Sequence, residues 1–370
     1  MRIGVNLMFL VPGEVGGSEP LLTRLVESIS DPDHELVVFA TSGFASAYPQ
    51  IAERTRIVQV PWSSGAQGLR IAAENSWLAW KARSLKLDVI HHGVGTTPFF
   101  KTVSTVVTIH DIQYLHHPEN FVKLKRKWLQ INVPHSARQC EVVCVPSNWV
   151  KQDLVRAFGI SPDKVAVVPF GSEGLFGVDG GTGASSVIAK YRLQRPFFLF
   201  PGRAYPHKSH RFLLEAYKPL APFADLVFTG PPWFRDREIA TAARGLGLSG
   251  KVRHLGVVPR EDLGGLYRAA TALVYPTRFE GFGLPLLEAM SVGCCVIASN
   301  VTSIPEVVAE SGILLEPDDL EGWTETMDKV LGDEALRAEL SSRGLKRAAD
   351  FTWENAASLQ VAAYQQAIRP

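Results

Sequence analysis

Tyr275-Pro276-Thr277-Arg278-Phe279-Glu280-Gly281-Phe282-Gly283-Leu284-Pro285-Leu286-Leu287-Glu288-Ala289-Met290 is the stretch on which the reading of this chain turns. An apolar run ends at Tyr275, a glycine-spaced loop follows, and Pro285 has the fixed φ that suits a first helical turn. The pattern is strand, loop, helix, with Glu280 in the loop and Glu288 about one turn into the helix. A helix start leaves backbone N–H groups without intrahelical acceptors and carries the positive end of the helix dipole. Phe282, Gly283 and Leu284 are therefore placed to offer amides to an anionic phosphate, and Glu280 and Glu288 to accept from sugar or ribose hydroxyls. The alternative is a plain loop carboxylate and a solvated helix residue.

Outward from this segment the chain repeats the same unit. Short β-rich apolar runs at 3–9, 35–40, 56–60, 88–92, 105–110, 141–146 and 164–169 alternate with longer helical patterns, the signature of a parallel sheet. Residues 171–186 are rich in Gly, Ser and Thr and lack apolar periodicity, so a linker is expected over 171–190. A second series follows at 196–202, 225–229, 251–257, 272–275, 294–298 and 312–315. Thr352 then precedes an alanine-rich amphipathic stretch, a helix candidate that could return to the first domain. The expectation is α/β: two Rossmann-like, doubly wound domains, 1–170 with 352–370, and 191–351. Ligands of such sheets sit beyond the carboxyl ends of the strands.

Composition narrows the partners. With 38 basic against 37 acidic side chains, the net charge of +1 supplies no field for nucleic acid. Cys140, Cys144, Cys294 and Cys295 match no zinc spacing and read as buried free thiols, which fits a reducing cytoplasm. The N-terminus reads as a first strand rather than a leader, and no apolar run reaches the ~18 residues that span a bilayer.

Three further segments sit where the strands of such sheets end. Phe200-Pro201-Gly202-Arg203-Ala204-Tyr205-Pro206-His207-Lys208 places two cations there. A departing nucleoside diphosphate gains negative charge as its glycosidic bond breaks, and preorganised cations stabilise that charge most in the transition state. Arg203 can fork onto phosphate oxygens, and Lys208 acts as a point charge. Gly16-Gly17-Ser18-Glu19 follows strand one and allows close backbone approach, or is simply a tight turn. Thr108-Ile109-His110-Asp111-Ile112 ends a strand in an imidazole and a carboxylate, though a lone histidine is more often structural. The doublets His91-His92 and His116-His117 diverge at i,i+1 and make poor chelators, and the His207/His210 pair is likewise a weak signal, with no metal expected. Lys123-Leu124-Lys125-Arg126-Lys127-Trp128 is either a solvated helix face or a membrane-surface dock.

Glu280 and Glu288, seven residues apart within E-G-F-G-L-P-L-L-E, resemble the glutamate pair of the retaining family-4 glycosyltransferases. Gly16 and Gly17 are similar to that family's first glycine loop, His110 and Asp111 to its H-D element, and Arg203 and Lys208 to its arginine-lysine pair. These motifs follow the family's order across nearly the whole chain. One departure is Ser209, where the family lysine is usually followed by glycine.

The resemblance implies a GT-B fold, with two domains facing across a cleft and a C-terminal helix crossing back to the first. It implies a retaining transfer of a hexose from a nucleotide diphosphate sugar to a hydroxyl of a carbohydrate, glycolipid or small molecule, in the cytoplasm or at the inner face of a membrane. Glu280 would contact the transferred sugar, Glu288 the ribose, Arg203 and Lys208 the diphosphate, and His110 the sugar. The amides of 281–284 and the loop at Gly16 and Gly17 would line the donor. Asp111 and Ser147 would lie on the acceptor side. No metal and no separate cofactor are expected, and no Asp-x-Asp dyad stands near the site. The stretch 107–121 looks most like bacterial mannosyltransferases that build surface polysaccharides, which points to GDP-mannose. The rivals are another donor such as UDP-hexose or UDP-GlcNAc, a sugar-nucleotide epimerase or phosphorylase, and a non-catalytic nucleotide-sugar-binding subunit.

Overall fold

A computed structural model describes residues 1–12, 18–29, 33–60, 67–174, 176, 182–231 and 236–369. The chain divides into two units, Met1–Gly171 with Thr352–Pro370, and Ser172–Phe351. The apolar runs become strands because a parallel sheet covered on both faces needs residues that are apolar on both sides.

In the first unit, β1 (Arg2–Asn6), β2 (Glu35–Ala40), β3 (Arg56–Gln59), β4 (Val89–His92), β5 (Ser104–Thr108), β6 (Val142–Val145) and β7 (Val165–Val167) form one parallel sheet in the order β3-β2-β1-β4-β5-β6-β7. One face packs Val107, Val143 and Val145 against Val150, Leu154 and Phe158 of the Asn148–Phe158 helix. Elsewhere Val37, Phe39 and Ile90 meet Leu78 and Ala82.

The last helix, Trp353–Ile368, belongs to this unit and packs on β4, β5, β6 and the Ser18–Ser28 helix. Thr352 caps it by accepting from Asn355 N at 3.1 Å. Its buried face carries Tyr364, whose hydroxyl lies 2.9 Å from His91 Nδ1, and Gln360, which donates to Cys144 Sγ at 3.4 Å. Gly171 lets this helix seat, since a Cβ there would fall 2.5 Å from the Trp353 backbone nitrogen.

In the second unit, β8 (Phe197–Pro201), β9 (Asp225–Thr229), β10 (Val252–His254), β11 (Ala272–Tyr275), β12 (Val296–Ser299) and β13 (Ile313–Leu315) form a parallel sheet in the order β10-β9-β8-β11-β12-β13. The 171–190 stretch read as linker is part structure: Ala184–Tyr191 is a helix that buries Val187 against the Arg260–Ala269 helix. Eight residues with one fully buried side chain leave too little periodicity to see in sequence. Asp262 fastens the two helices, accepting from Tyr191 Oη at 2.6 Å, Thr182 Oγ1 at 3.0 Å and Lys190 Nζ. All four cysteines are buried and free. Among the described residues no helix is long and apolar enough to cross a membrane.

Candidate active site

Each sheet reverses its strand order once, between β1 and β4 in the first unit and between β8 and β11 in the second. Crossovers leave such a point in opposite directions, so a crevice opens beyond the strand ends there. The residues picked out in the second half of the sequence gather at the β8/β11 reversal.

β8 and β11 pair in parallel, Phe198 with Ala272 and Leu199 with Leu273. Beyond their carboxyl ends the two loops are stitched together. Arg278 N donates to His207 O at 2.7 Å, and Thr277 Oγ1 lies 3.1 Å from Phe279 O and 3.3 Å from His207 O. This fixes the one-turn helix Pro206–Lys208 against the Glu280 loop. Lys208 Nζ consequently donates to Glu280 Oε1 and, at 2.6 Å, to Tyr275 Oη, with the ammonium 4.8 Å from the Tyr275 ring centroid. Side-chain exposure is only 13% for Lys208 and 14% for Glu280, so the pair is weakly screened. Burial, reinforced by the Glu280 charge, pushes the Tyr275 phenol far above its usual range, so it remains protonated. The Glu280 backbone is clamped as well: its N–H donates to Thr302 Oγ1 at 3.1 Å, and its carbonyl accepts from Ser303 Oγ at 3.0 Å.

Three residues on, Gly283 takes φ +91°, a left-handed conformation that turns the loop into the Leu284–Ser291 helix. Pro285 has no N–H, and Leu286 N returns to Gly283 O at 2.9 Å. Among the described residues the N–H groups of Gly283 and Leu284 donate to no protein acceptor. Phe282 is buried edge-on to Phe351, and Gly281 is buried in the same loop. Arg203 is exposed and, among the described residues, its guanidinium has no hydrogen bond or ion pair.

Glu288 is not the solvated helix residue of the alternative reading. It is 4% exposed, accepting from Arg260 Nη2 at 2.7 Å and from Tyr267 Oη at 3.0 Å. Arg260 also lies over the Phe176 ring, 5.7 Å from its centroid. Sequence reasoning missed Arg260, Tyr267 and Tyr275. Arg260 and Tyr267 stand at i,i+7 on the Arg260–Ala269 helix, hence on one face, and that spacing was the available signal.

In the first unit, Gly16 and Gly17 lie outside the described residues, as does the side chain of Ser18. His110 follows β5 and donates from Nε2 to Gly93 O, beyond β4, at 3.2 Å. Its Nδ1 is buried with no partner among the described residues. Burial lowers the imidazole pKa to about 4, so the ring is neutral at pH ~7 and Nδ1 is a vacant acceptor. It borders a cavity of about 20 Å³ with Leu21, Leu22, Thr108, Phe170 and Trp353, room for about one water.

Asp111 Oδ1 accepts from Gln113 N at 2.9 Å, which shapes the loop after His110. Ser147, expected on the acceptor side, is fully buried and caps the Asn148–Phe158 helix by accepting from Val150 N at 3.2 Å. It offers an acceptor no surface.

Three further histidines of this unit have structural partners. His91 meets Thr108 Oγ1 at 2.7 Å as well as Tyr364, and His92 Nδ1 accepts from Asn6 Nδ2 at 3.0 Å. His116 lies 2.8 Å from Asp153 Oδ2.

Two parallel sheets with central reversals and a C-terminal helix returning to the first are the GT-B fold. Solved structures agree over essentially the whole chain. Sucrose-phosphate synthase from Thermosynechococcus elongatus superimposes with a TM-score of 0.77 at 20% identity, covering 99% of this chain and 98% of that one. Anabaena Alr3699/HepE in complex with UDP and glucose gives 0.75 at 19% identity, covering 98% of each.

The sequence places the chain more narrowly. Residues 15–172 match the family described as Glycosyltransferase Family 4, and 187–347 match Glycosyl transferases group 1. O-antigen chain mannosyltransferase B of Escherichia coli is 32% identical over 78% of this chain and 76% of its own length. The chain belongs to the family-4 glycosyltransferases, and it is an enzyme.

Proposed function

We propose that this enzyme transfers mannose from GDP-mannose, with retention of anomeric configuration and without a metal ion, to a hydroxyl of a growing surface glycan or glycolipid. The observation that carries the reading is the Lys208–Glu280 pair at the β8/β11 reversal, beside the unused N–H groups of Gly283 and Leu284.

An ammonium has three N–H donors; two go to Glu280 and Tyr275, which leaves the third for a phosphate oxygen. Arg203 is unengaged among the described residues and suited to a bidentate hold on the diphosphate. As the bond between the anomeric carbon and the phosphate oxygen breaks, these donors take up the growing charge. The acceptor oxygen attacks the same face of the sugar, and its proton passes to the departing phosphate oxygen. Glu280 keeps Oε2 for a sugar hydroxyl. Glu288, oriented by Arg260 and Tyr267, retains lone pairs for ribose hydroxyls. For His110 the family resemblance implies a sugar contact.

Mannose as the sugar is supported by the Escherichia coli relative. A UDP-hexose donor is the second reading, favoured by the similarity to Anabaena Alr3699/HepE, which is in complex with UDP and glucose. Both are separated by incubating the protein with EDTA and, in turn, GDP-mannose, UDP-glucose, UDP-GlcNAc and UDP-galactose, and measuring nucleoside diphosphate release. Selective release of GDP is expected and, with a mannosyl oligosaccharide added as acceptor, an α-linked product from the α-donor by NMR. Selective release of UDP overturns the donor assignment, an inverted product overturns retention, and turnover that stops with EDTA and resumes with a divalent ion overturns the metal-free reading.

A further inference from the structure

We propose that the Lys123–Gln139 helix and the loop at Phe99 and Phe100 form a docking face for an anionic lipid surface. The helix carries Lys123, Lys125, Arg126, Lys127 and Arg138 and no acidic residue. Among the described residues none of its first four cations forms an ion pair, so their charge is not spent within the protein.

Between these cations stand apolar side chains that the fold leaves in water: Leu124 is 80% exposed and Ile131 66%. At 100° per residue Leu124, Trp128, Ile131 and His135 share one stripe, with Lys127 on its flank. The stripe does not stop at the helix. Thr97 N donates to Ser136 Oγ at 2.9 Å, Gln139 Nε2 reaches Thr97 Oγ1 at 2.5 Å, and the Phe99 ring lies 5.3 Å from His135. These contacts seat the loop on the helix with Phe99 against the stripe, and its neighbour Phe100 is 80% exposed. The loop also ties to the Ala79–Ser84 helix, where Thr102 Oγ1 donates to Ala79 O at 3.1 Å and Trp80 is exposed.

Scattered exposed apolar residues are ordinary; a run of them continuous along a helix and its adjoining loop, interleaved with cations of one sign, is not. An aqueous protein partner of matching acidity would leave Leu124, Ile131 and Phe100 facing charge. A lipid interface satisfies both halves, taking the apolar side chains below the headgroups while Lys and Arg reach back to phosphates. Docking here would hold the enzyme at a surface carrying lipid-linked acceptors.

The test is co-sedimentation of the full chain with phosphatidylcholine vesicles with and without phosphatidylglycerol, at low and high salt. No sugar nucleotide is present, so failure here is separate from failure of the transfer reading. Binding to the phosphatidylglycerol vesicles alone, weakened by salt, is expected. L124E/I131E should weaken it about tenfold or more. K123Q/K125Q should weaken it about fivefold per cation removed. F223E, on an exposed residue of the second unit, should leave it unchanged. Both altered sites are solvent-exposed, and thermal melting verifies that the variants fold. No binding to anionic vesicles at low salt, equal binding by folded L124E/I131E, or a wild-type dimer that L124E/I131E dissolves would overturn the proposal.

Discussion

Lys208 and Glu280 are 72 residues apart in the chain and share a charge-assisted hydrogen bond in the fold, together with the Tyr275 hydroxyl. The site is therefore held together before any donor arrives. A double-mutant cycle on Lys208→Met and Glu280→Gln should give a coupling energy of about 1–3 kcal/mol in urea unfolding, the range for mostly buried charged neighbours. Additive single-mutant effects would mean that the pair does not preorganise the site.

Arg260 and Tyr267 hold Glu288 in a nearly closed environment. Removing the guanidinium of a fully buried pair costs ~3–5 kcal/mol, but Arg260 is 34% exposed, so Arg260→Ala should cost about 2 kcal/mol. Tyr267→Phe should cost a similar ~2 kcal/mol, because it removes the hydrogen bond that the hydroxyl donates to the Glu288 carboxylate. Chemical denaturation measures both. Loss of nucleotide affinity in Arg260→Ala beyond the loss of stability would show that orienting Glu288 matters for binding, and unchanged affinity would limit Arg260 to the fold.

The strands were legible because residues buried on both faces of a parallel sheet form unbroken apolar runs, as 197–201 and 272–275 do. The chemistry of the loops after β8 and β11 was legible for the same reason: the strand ends are visible. The meeting of Lys208 with Glu280 was not, because β9 and β10 intervene in sequence while the sheet sends them to the far side of β8. Nor was the Arg260–Glu288 pair, since a long side chain bridging two helices leaves no periodic trace. Ser147, expected on the acceptor side, caps a helix, and its burial beneath the helix start is what sequence could not give.

Ser209, the departure from the family's usual glycine, has φ +56°, in the left-handed region, and its buried hydroxyl has no partner among the described residues. The position asks for glycine on backbone grounds. Ser209→Gly should raise stability by about 1 kcal/mol, the relief of ~1–2 kcal/mol of backbone strain less the added freedom of the unfolded chain. Ser209→Val should lower it. Melting temperatures decide, and a destabilised glycine variant would contradict the strain argument.

Burial lowers the pKa of His91 and His92 to about 3, of His110 to about 4 and of His210 to about 3. Above pH ~6.5 these groups are neutral in both states. Below it the unfolded chain binds protons that the fold refuses, so stability falls as pH drops toward 4, by up to about 1.4 kcal/mol per pH unit for each histidine. His210 packs between Phe200 and Phe228 with an unpartnered Nδ1. His210→Phe should therefore reduce the slope by about one proton and keep or raise stability at neutral pH. Urea midpoints that do not move between pH ~7.5 and ~5 would contradict the burial of these rings.

The proposed transfer puts Lys208 at the diphosphate, which is tested by GDP release from GDP-mannose, with EDTA present, by the native enzyme and by Lys208→Met. Release should fall about 10²–10³-fold in the variant. Calorimetry should show that its affinity for intact GDP-mannose changes far less, because the lost contact acts on charge that develops as the donor's glycosidic bond breaks. Equal release rates in a folded Lys208→Met protein would contradict a role for Lys208 at the diphosphate.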